Sequence, residues 1–354
     1  MSEKPSEPRP PELSVEAFRQ LCTAAAEFRE LGPWTYLSDC NMLALQDSNT
    51  GQVRLASVLG NAGQVFGLLV HRGDQGHCWA LTIASEGDHS DSDPNFAHSQ
   101  DCLFAEFVAR RELETHDRAM LSAIGFKPLP HDKHGWVKFR SLRPGTAPWN
   151  VDQAEAELLA SDLQKTTHFA RLISERKDLF DDRAPNELPF YPQNVELTRP
   201  LRPQDLDWQK LVLAPEPPPE PFSLSDSEGD KLDALPRNVD LCIELDCLYS
   251  PGFVSEGLRP YFPWLSLAVE ATSGHILGSE LANSQTRRLE EVAGECLVHA
   301  LTRMKCRPRK ILVRRKRLAG IATLHGLPVG PISLSTTPVP LHKPHARHEL
   351  HPLD

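Results

Sequence analysis

The chain has 354 residues, 40% of them apolar and 24% charged, with 38 Lys and Arg against 48 Asp and Glu for a net charge of −10. That length accommodates two domains with separate cores, and that balance excludes a protein that coats nucleic acid indiscriminately. No run reaches the roughly 18 apolar residues of a membrane span, and the opening MSEKPSEPRPPELS lacks the apolar stretch of a secretory signal. A cytoplasmic location with no membrane partner is expected. Eight scattered cysteines without a CxxC pair fit reduced thiols better than a disulfide framework or zinc ribbon. Cys78 and Cys242, in apolar runs, are expected as small core residues.

Residues 1–12, rich in Pro, Ser and Glu, are expected to be disordered. Leu13 to Leu31 predicts a helix capped by Ser14, stopped at Gly32-Pro33, and burying Val15, Phe18, Leu21, Cys22, Ala25 and Phe28. NMLALQD and QVRLASVLG flank the turn SNTG, and QVFGLLVHR follows the glycine turn Gly60-Asn61-Ala62-Gly63. GHCWALTIA, after RGDQG, reads as the fourth strand of an antiparallel meander packed on the opening helix. His71 reads as a strand-end or core histidine. GDHSDSDPN is an acidic loop in which Asp88, His89, Asp91 and Asp93 lack the glycine and closing glutamate of a calcium loop.

CLFAEFVARREL resumes apolar structure, THDRAMLSAIGF predicts a helix ending at Gly125, and GWVKFRSLRPGTAPW a strand leading into a Pro/Gly turn. VDQAEAELLASDLQKTTHFARLI is a long amphipathic helix with Asp152 at its start. Trp34, Trp136 and Trp149 are expected to anchor packing beside loops. From Pro185 to Pro221 ten of 37 residues are proline, which excludes long helices and central strands, although WQKLVLAP suggests a short strand. EPPPEPFSLSDSEGD is the expected flexible piece. RNVDLCIELDCLYS, PYFPWLSLAVEATSG and HILGSELAN are then strands, and TRRLEEVAGECLVHALTRM a helix burying Leu289, Val292, Ala293, Cys296, Leu297 and Leu301. RKILVRRK is the following strand.

PWTYLSDCNMLALQDSNTGQVRLASVLGNAGQVFGLLVHRGDQG and WVKFRSLRPGTAPW resemble a pattern of uncharacterised bacterial domains: tryptophan, strand, GxxG turn, strand and RGxxG. RPYFPWLSLAVEATSGHILGSEL and RPRKILVR resemble a small domain found beside it. Neither family carries an established activity, so the resemblance transfers no functional residue. The order of elements after Arg237 also resembles a ribonuclease-H-like layout. That fold places an Asp on its first strand, a Glu on the helix and another Asp on the fourth strand. The nearest residues here are Asp246 or Glu270, then Glu291 or Glu295, with no acid on RKILVRRK. Two metal ions need several carboxylates, and the basic strand opposes them.

The expected fold class is α+β: an N-terminal antiparallel sheet with helices over residues 13–180, and a smaller ribonuclease-H-like α/β domain over 237–340. Residues 181–236 form a Pro-rich acidic linker and 341–354 a His-rich tail. From Arg287 to Arg317 eleven Lys and Arg face three Glu. On a strand, Lys310, Leu312, Arg314 and Lys316 would share one face. Arg309, Lys310, Arg314, Arg315, Lys316 and Arg317 are therefore candidate phosphate contacts for nucleic acid, or else a solvated edge strand. His342, His345, His348 and His351 recur every third residue, which in polyproline II aligns them as a loose metal site. No nucleophile elbow or cofactor fingerprint occurs. The reading is a binding or regulatory protein with an unidentified protein partner, no cofactor and no evident catalysis. A nucleic-acid accessory protein is the alternative, and a metal-dependent hydrolase or nuclease the least favoured.

Overall fold

The computed structural model describes residues 8–48, 50–84, 95–128, 133–184, 186–213, 222, 226–315, 317–318, 320 and 329–331. Helix α1 (Val15–Leu31) begins where the Ser14 hydroxyl accepts from the Ala17 amide at 3.2 Å, and ends at Gly32 in a left-handed conformation. Of the face expected to be buried, Phe18, Leu21, Cys22, Ala25 and Phe28 are buried, but Val15 is 46% exposed because it lies in the first turn, at the helix rim.

The strands β1 (Leu43–Gln46), β2 (Val53–Leu59) and β3 (Phe66–Arg72) form the antiparallel meander that the turn residues predict. GHCWALTIA does not continue it. Gly73 takes φ +59, a conformation that costs other residues strain, and from there the chain runs as α2 (Gly73–Ala84). Gly76, His77, Ala80 and Ala84 are buried at helical spacing, a pattern that a short apolar run hides from a strand template. The change of element turns Cys78 to solvent, and Cys242 is only half-buried.

After β4 (Cys102–Val108), α3 (Thr115–Ala123) and β5 (Trp136–Leu142), the long helix α4 (Gln153–Glu175) starts at an Asp152 cap. Two further strands, β6 (Glu187–Phe190) and β7 (Asp207–Lys210), complete a sheet of order β5-β4-β3-β2-β1-β6-β7. β6 lies inside the sheet despite Pro189. The missing amide of Pro189 leaves no gap, since β6 meets β1 at the single register pair Ala44 with Phe190, and Tyr191 donates to the Ala44 carbonyl at 2.9 Å.

Alternation along β1 explains the layers. Leu43 and Leu45 join a core with Phe28, Leu159 and Phe169 from α1 and α4, whereas Met42 and Ala44 join Ala80 and Ala84 of α2 on the other side. Each fully buried Leu or Phe contributes about 2 kcal/mol of burial free energy. Within α4, Asp162 is wholly buried and holds Arg54 of β2 through Nε at 2.8 Å and Nη2 at 2.9 Å.

The C-terminal part begins with α5 (Asp226–Asp233), so the acidic end of EPPPEPFSLSDSEGD is helical, and Phe222 is buried against Gly294. Strands β8 (Arg237–Tyr249), β9 (Trp264–Glu270) and β10 (Ile276–Ala282), helix α6 (Leu289–Met304), and strands β11 (Arg307–Val313) and β12 (Val329–Pro331) follow. The sheet order is β10-β9-β8-β11-β12, with β11 parallel to β8 and β12 parallel to β11. Leu289, Val292, Ala293, Cys296, Leu297 and Leu301 are buried as the periodicity predicts. β11 is thus an inner strand, not an edge.

By packing, the chain forms two units: residues 1–218 with 247–265 and 280–292, and residues 219–246 with 266–279 and 293–354. The α+β class holds for the described residues. No helix among them is long and apolar enough to cross a membrane.

Candidate functional site

The start of α4 organises a cluster of charged side chains in the first unit. Asp152 caps the helix by accepting from the Glu155 amide at 2.9 Å, and Glu155 returns the bond to the Asp152 amide at 3.3 Å. The Glu155 side chain also accepts from Ser141 Oγ at 2.7 Å, from Arg143 Nη2 at 2.8 Å and from Arg72 Nη1 at 2.9 Å. Burial by itself would raise the Glu155 pKa, but the bonds from Ser141, Arg143 and Arg72 outweigh it and hold the group at about 2. The carboxylate is therefore ionised at neutral pH and its hydrogen-bonding capacity is filled. It is a structural counter-ion, not a proton acceptor for chemistry.

A third arginine reaches the same cluster from a distant segment. RPGTAPW (143–149) and RPYFPW (259–264) lie against each other: the Ala147 amide donates to the Pro260 carbonyl at 3.0 Å and the Phe262 amide to the Gly145 carbonyl at 2.8 Å. Gly145 sits at φ +69, and a Cβ there would come within 2.8 Å of the Tyr249 ring, so no larger residue fits. This pairing brings Arg259 to the Ser141 carbonyl, 3.4 Å from Nη1. Among the described residues Arg259 forms no ion pair, and its pKa is lowered to about 10, first by burial and then by the charge of Arg143. Three arginines thus converge where a single buried glutamate stands, with Asp101 holding Arg72 at 2.7 Å.

Two clefts open beside this cluster. One, of about 810 Å³, is lined by Arg143, Trp149, Asp152, Glu256, Arg259 and Tyr261 among others. The other, of about 790 Å³, is lined by Phe104, Arg140, Trp149, Phe253 and Pro260 among others. Trp149 and Asn150 border both, and the Trp149 indole N–H is shielded from solvent without a hydrogen-bond partner. Arg140 is committed to Asp117 at 2.7 and 2.8 Å. Both linings carry charges of each sign, Arg143 and Arg259 with Asp152 and Glu256 in one and Lys138 and Arg140 with Glu106 and Glu114 in the other, and their guanidinium, indole and phenol groups can contact carboxylates and flat or apolar groups. Among the described residues no group of three His, Cys, Asp or Glu is placed to hold a metal ion.

The basic segment of the second unit is arranged differently from the strip expected of it. β11 ends at Val313, so Arg314 and Arg315 lie past the alternation expected of RKILVRRK. Arg309 is exposed at a bulge between Pro308 and Lys310, and Lys310 is half-buried. Arg314 and Arg315 both face Asp246 of β8, each with Nε 3.7 Å from a carboxylate oxygen. Arg317 is exposed beyond the strand. Lys316, His342, His345, His348 and His351 lie outside the described residues, as do Asp88, His89, Asp91 and Asp93.

The remaining acids compared with a nuclease are spoken for in part. Glu291 pairs with Arg288 at 2.9 Å and Arg287 at 3.4 Å, Glu270 accepts from Ser273, and Glu295 is half-buried on α6. Trp34 packs on Phe28, Phe66 and Phe107, and Trp136 on Phe126. His71 is buried, as a core histidine.

The sequence pattern does not single out Arg143, Glu155 or Arg259 as site residues, and Trp149 reads from it only as a packing anchor. The available signal was the recurrence of Arg-Pro and Pro-Trp at the two ends of both RPGTAPW and RPYFPW. No curated protein and no solved structure matches the chain. Residues 18–190 match the family model described as a domain of unknown function, DUF7309, and residues 229–323 match a second one, DUF6930. The chain therefore joins two domains similar to families of unknown function, one in each half.

Proposed function

We propose that the protein is a cytoplasmic protein-interaction or regulatory module that acts by binding, without catalysis. The first unit takes an extended acidic segment of a partner protein in the clefts on either side of Trp149. Arg259 carries this reading: a half-buried cation with no ion-pair partner among the described residues, beside a cleft with an unsatisfied indole donor. A carboxylate arriving from solvent completes the pairing of Arg259. Charge-assisted bonds of this kind are worth about 1.5–3 kcal/mol each, or roughly tenfold and more in affinity. A half-exposed Arg143 beside Arg259 adds a second contact.

The test is fluorescence anisotropy with labelled hexaglutamate at rising salt. Saturable binding that weakens with ionic strength is expected, and Arg259→Gln lowers affinity by about tenfold. Absence of binding at low salt, or equal binding by Arg259→Gln, overturns the proposal.

A second reading, nucleic-acid binding by the second unit, is favoured by the exposure of Arg309 and Arg317 and by the strand order of that unit, which supports the ribonuclease-H-like likeness. Asp246 counts against it, because it spends its charge on Arg314 and Arg315. Labelled DNA and RNA titrated against Arg309→Ala decide this reading: it stands if the variant binds more weakly with a smaller salt slope, and falls if no complex forms at low salt.

A further inference from the structure

The two sheets protect their edges unequally. Their edge strands are β5 and β7 in the first, β10 and β12 in the second. A bare edge offers unpaired amides and carbonyls to any passing strand, and proteins blunt it by shortness, by charged residues or Pro, or by cover. β5 is covered in part: the Ser141 amide donates to the Trp149 carbonyl at 2.7 Å, and the Trp149 amide returns the bond at 3.0 Å. β7 has four residues, with Asp207 and Lys210 at its ends, and β12 has three, ending at Pro331. β10 uses none of these devices. It runs for seven residues, ILGSELA, without Lys, Arg or Pro, and among the described residues no strand or bridge lies on its outer side. Ile276 and Leu281 are 59% and 61% exposed on it.

The turn before β10 fixes which of its backbone groups are free. The Glu270 amide, at the end of β9, donates to the His275 carbonyl at 2.8 Å. Strands joined by so short a turn are antiparallel, and residues along them alternate in the direction of their hydrogen bonds. His275, Leu277, Ser279 and Leu281 therefore turn their backbone groups to β9, and Ile276, Gly278, Glu280 and Ala282 turn theirs outward. Side chains alternate too. Gly278 faces α6, where an added Cβ would lie 3.0 Å from the Ala300 side chain, so Leu277, Ser279 and Leu281 share the opposite face.

This edge is complementary to itself. Antiparallel pairing centred on Ser279 sets Ile276 against Ala282 of a second copy and Gly278 against its Glu280, so the outward-facing residues meet one another along the whole strand. Leu277 of each copy stands opposite Leu281 of the other, an apolar cross-strand contact. Glu280, the single charged residue of β10, meets glycine instead of its own copy. Centring on Glu280 would set the two glutamates face to face, and centring on Gly278 would shorten the ladder to residues 276–280. A slip of one residue would oppose outward groups to inward ones.

We propose that β10 is a self-pairing edge, through which two copies of the chain join their C-terminal sheets about a two-fold axis at Ser279. Such a contact uses the same strand on both copies and closes at two. It is independent of the binding role of the first unit.

The experiment is sedimentation velocity on the full chain from about 1 to 100 μM, where mass action reveals a dimer. A species of twice the monomer mass is expected to grow with concentration. Ile276→Lys combined with Leu281→Lys, at exposed positions that leave the core intact, is expected to weaken it by at least about tenfold. A second variant reads the register. Ser279 faces its own copy in a non-hydrogen-bonded pair, with Cα atoms about 4.5 Å apart, within disulfide reach. Oxidised glutathione, which takes up the two electrons, is expected to cross-link Ser279→Cys into a covalent dimer. Leu277→Cys, four residues from its own copy along the strand, is expected to stay near the background set by the unsubstituted chain with its exposed Cys40 and Cys78. A monomer at every concentration, a dimer indifferent to both lysines, or cross-linking of Ser279→Cys no greater than that of Leu277→Cys overturns the proposal.

Discussion

Two arginine–carboxylate assemblies of the first unit use the same residue types for opposite ends. Arg54 and Asp162 form a closed pair: both buried, two hydrogen bonds of 2.8 and 2.9 Å, one charge answering one charge. Around Glu155 the charges are spread instead of paired: Arg72, Arg143 and Arg259 converge from three parts of the chain on Glu155, Asp101 and Asp152, Arg259 forms no ion pair among the described residues, and a cleft opens at their side. A balanced and enclosed pair has nothing left to offer a ligand. A cation held in place without its own anion is costly to the fold, and such a cost is retained where binding uses it.

Breaking the closed pair is expected to give the largest effect. Asp162→Ala leaves the Arg54 guanidinium buried and uncompensated, and a loss of about 3–5 kcal/mol in denaturant unfolding is expected, with binding to acidic peptide unchanged in whatever fraction remains folded. The open cluster responds less. Glu155→Gln removes the charge that Arg72 and Arg143 share but leaves Asp101 on Arg72, and a loss of about 2 kcal/mol is expected.

Acid sharpens the contrast, because the first unit holds groups that resist protonation, His71 and Glu155 among them. His71 is buried beside Trp79, and burial, helped by the charge of His77, lowers its pKa from 6.5 to about 4. The folded state therefore disfavours the proton that the unfolded chain accepts. The contribution of His71 is fully present above pH 6.5 and is lost as pH falls toward 4. Glu155, held at about 2 against 4.5, contributes above pH 4.5 and loses its share as pH falls toward 2. Unfolding free energy measured against pH should decline in these two windows, with His71→Phe flattening the upper and Glu155→Gln the lower. A profile unchanged by both substitutions contradicts the assignment.

The smallest effect belongs to the second unit. Arg314 and Arg315 reach Asp246 only at 3.7 Å and from partly exposed positions, so Asp246→Asn is expected to cost under about 1 kcal/mol. A larger loss would mean that this triad, too, is a closed structural assembly.

Most of the fold was legible in local pattern, and the exceptions have definite causes. The Ser14 and Asp152 caps, the buried stripe of α6 and the glycine turn before β3 are each decided by residues within a few positions of one another. The helix α2 was misread because its apolar run is short and its buried face is built of Gly76, His77, Ala80 and Ala84, which do not stand out as a stripe. β6 was hidden by Pro189, whose cost disappears only because the neighbouring ladder is so short. The candidate site was illegible for a different reason. Arg143 and Arg259 are separated by more than a hundred residues, and nothing local says that one will end beside the other. Only the repeated Arg-Pro and Pro-Trp ends of their two motifs hinted at a shared place. The basic run near Arg314 stood out in composition, yet two of its arginines face Asp246 instead of forming an open cationic strip.

The central claim is that Arg259 is kept for a ligand and not for the fold. The direct test is the melting temperature of Arg259→Gln, with and without the acidic peptide, beside that of the unsubstituted protein. Removing this desolvated cation ends its repulsion by Arg143 and Arg72 together with its attraction to Glu155 and Asp152, so the account predicts a melting temperature within about 1 °C of the original, and loss of the upward shift that peptide gives the original protein. A fall of more than about 5 °C with the peptide shift intact would contradict it, and would place Arg259 with Arg54 among the residues that serve the fold.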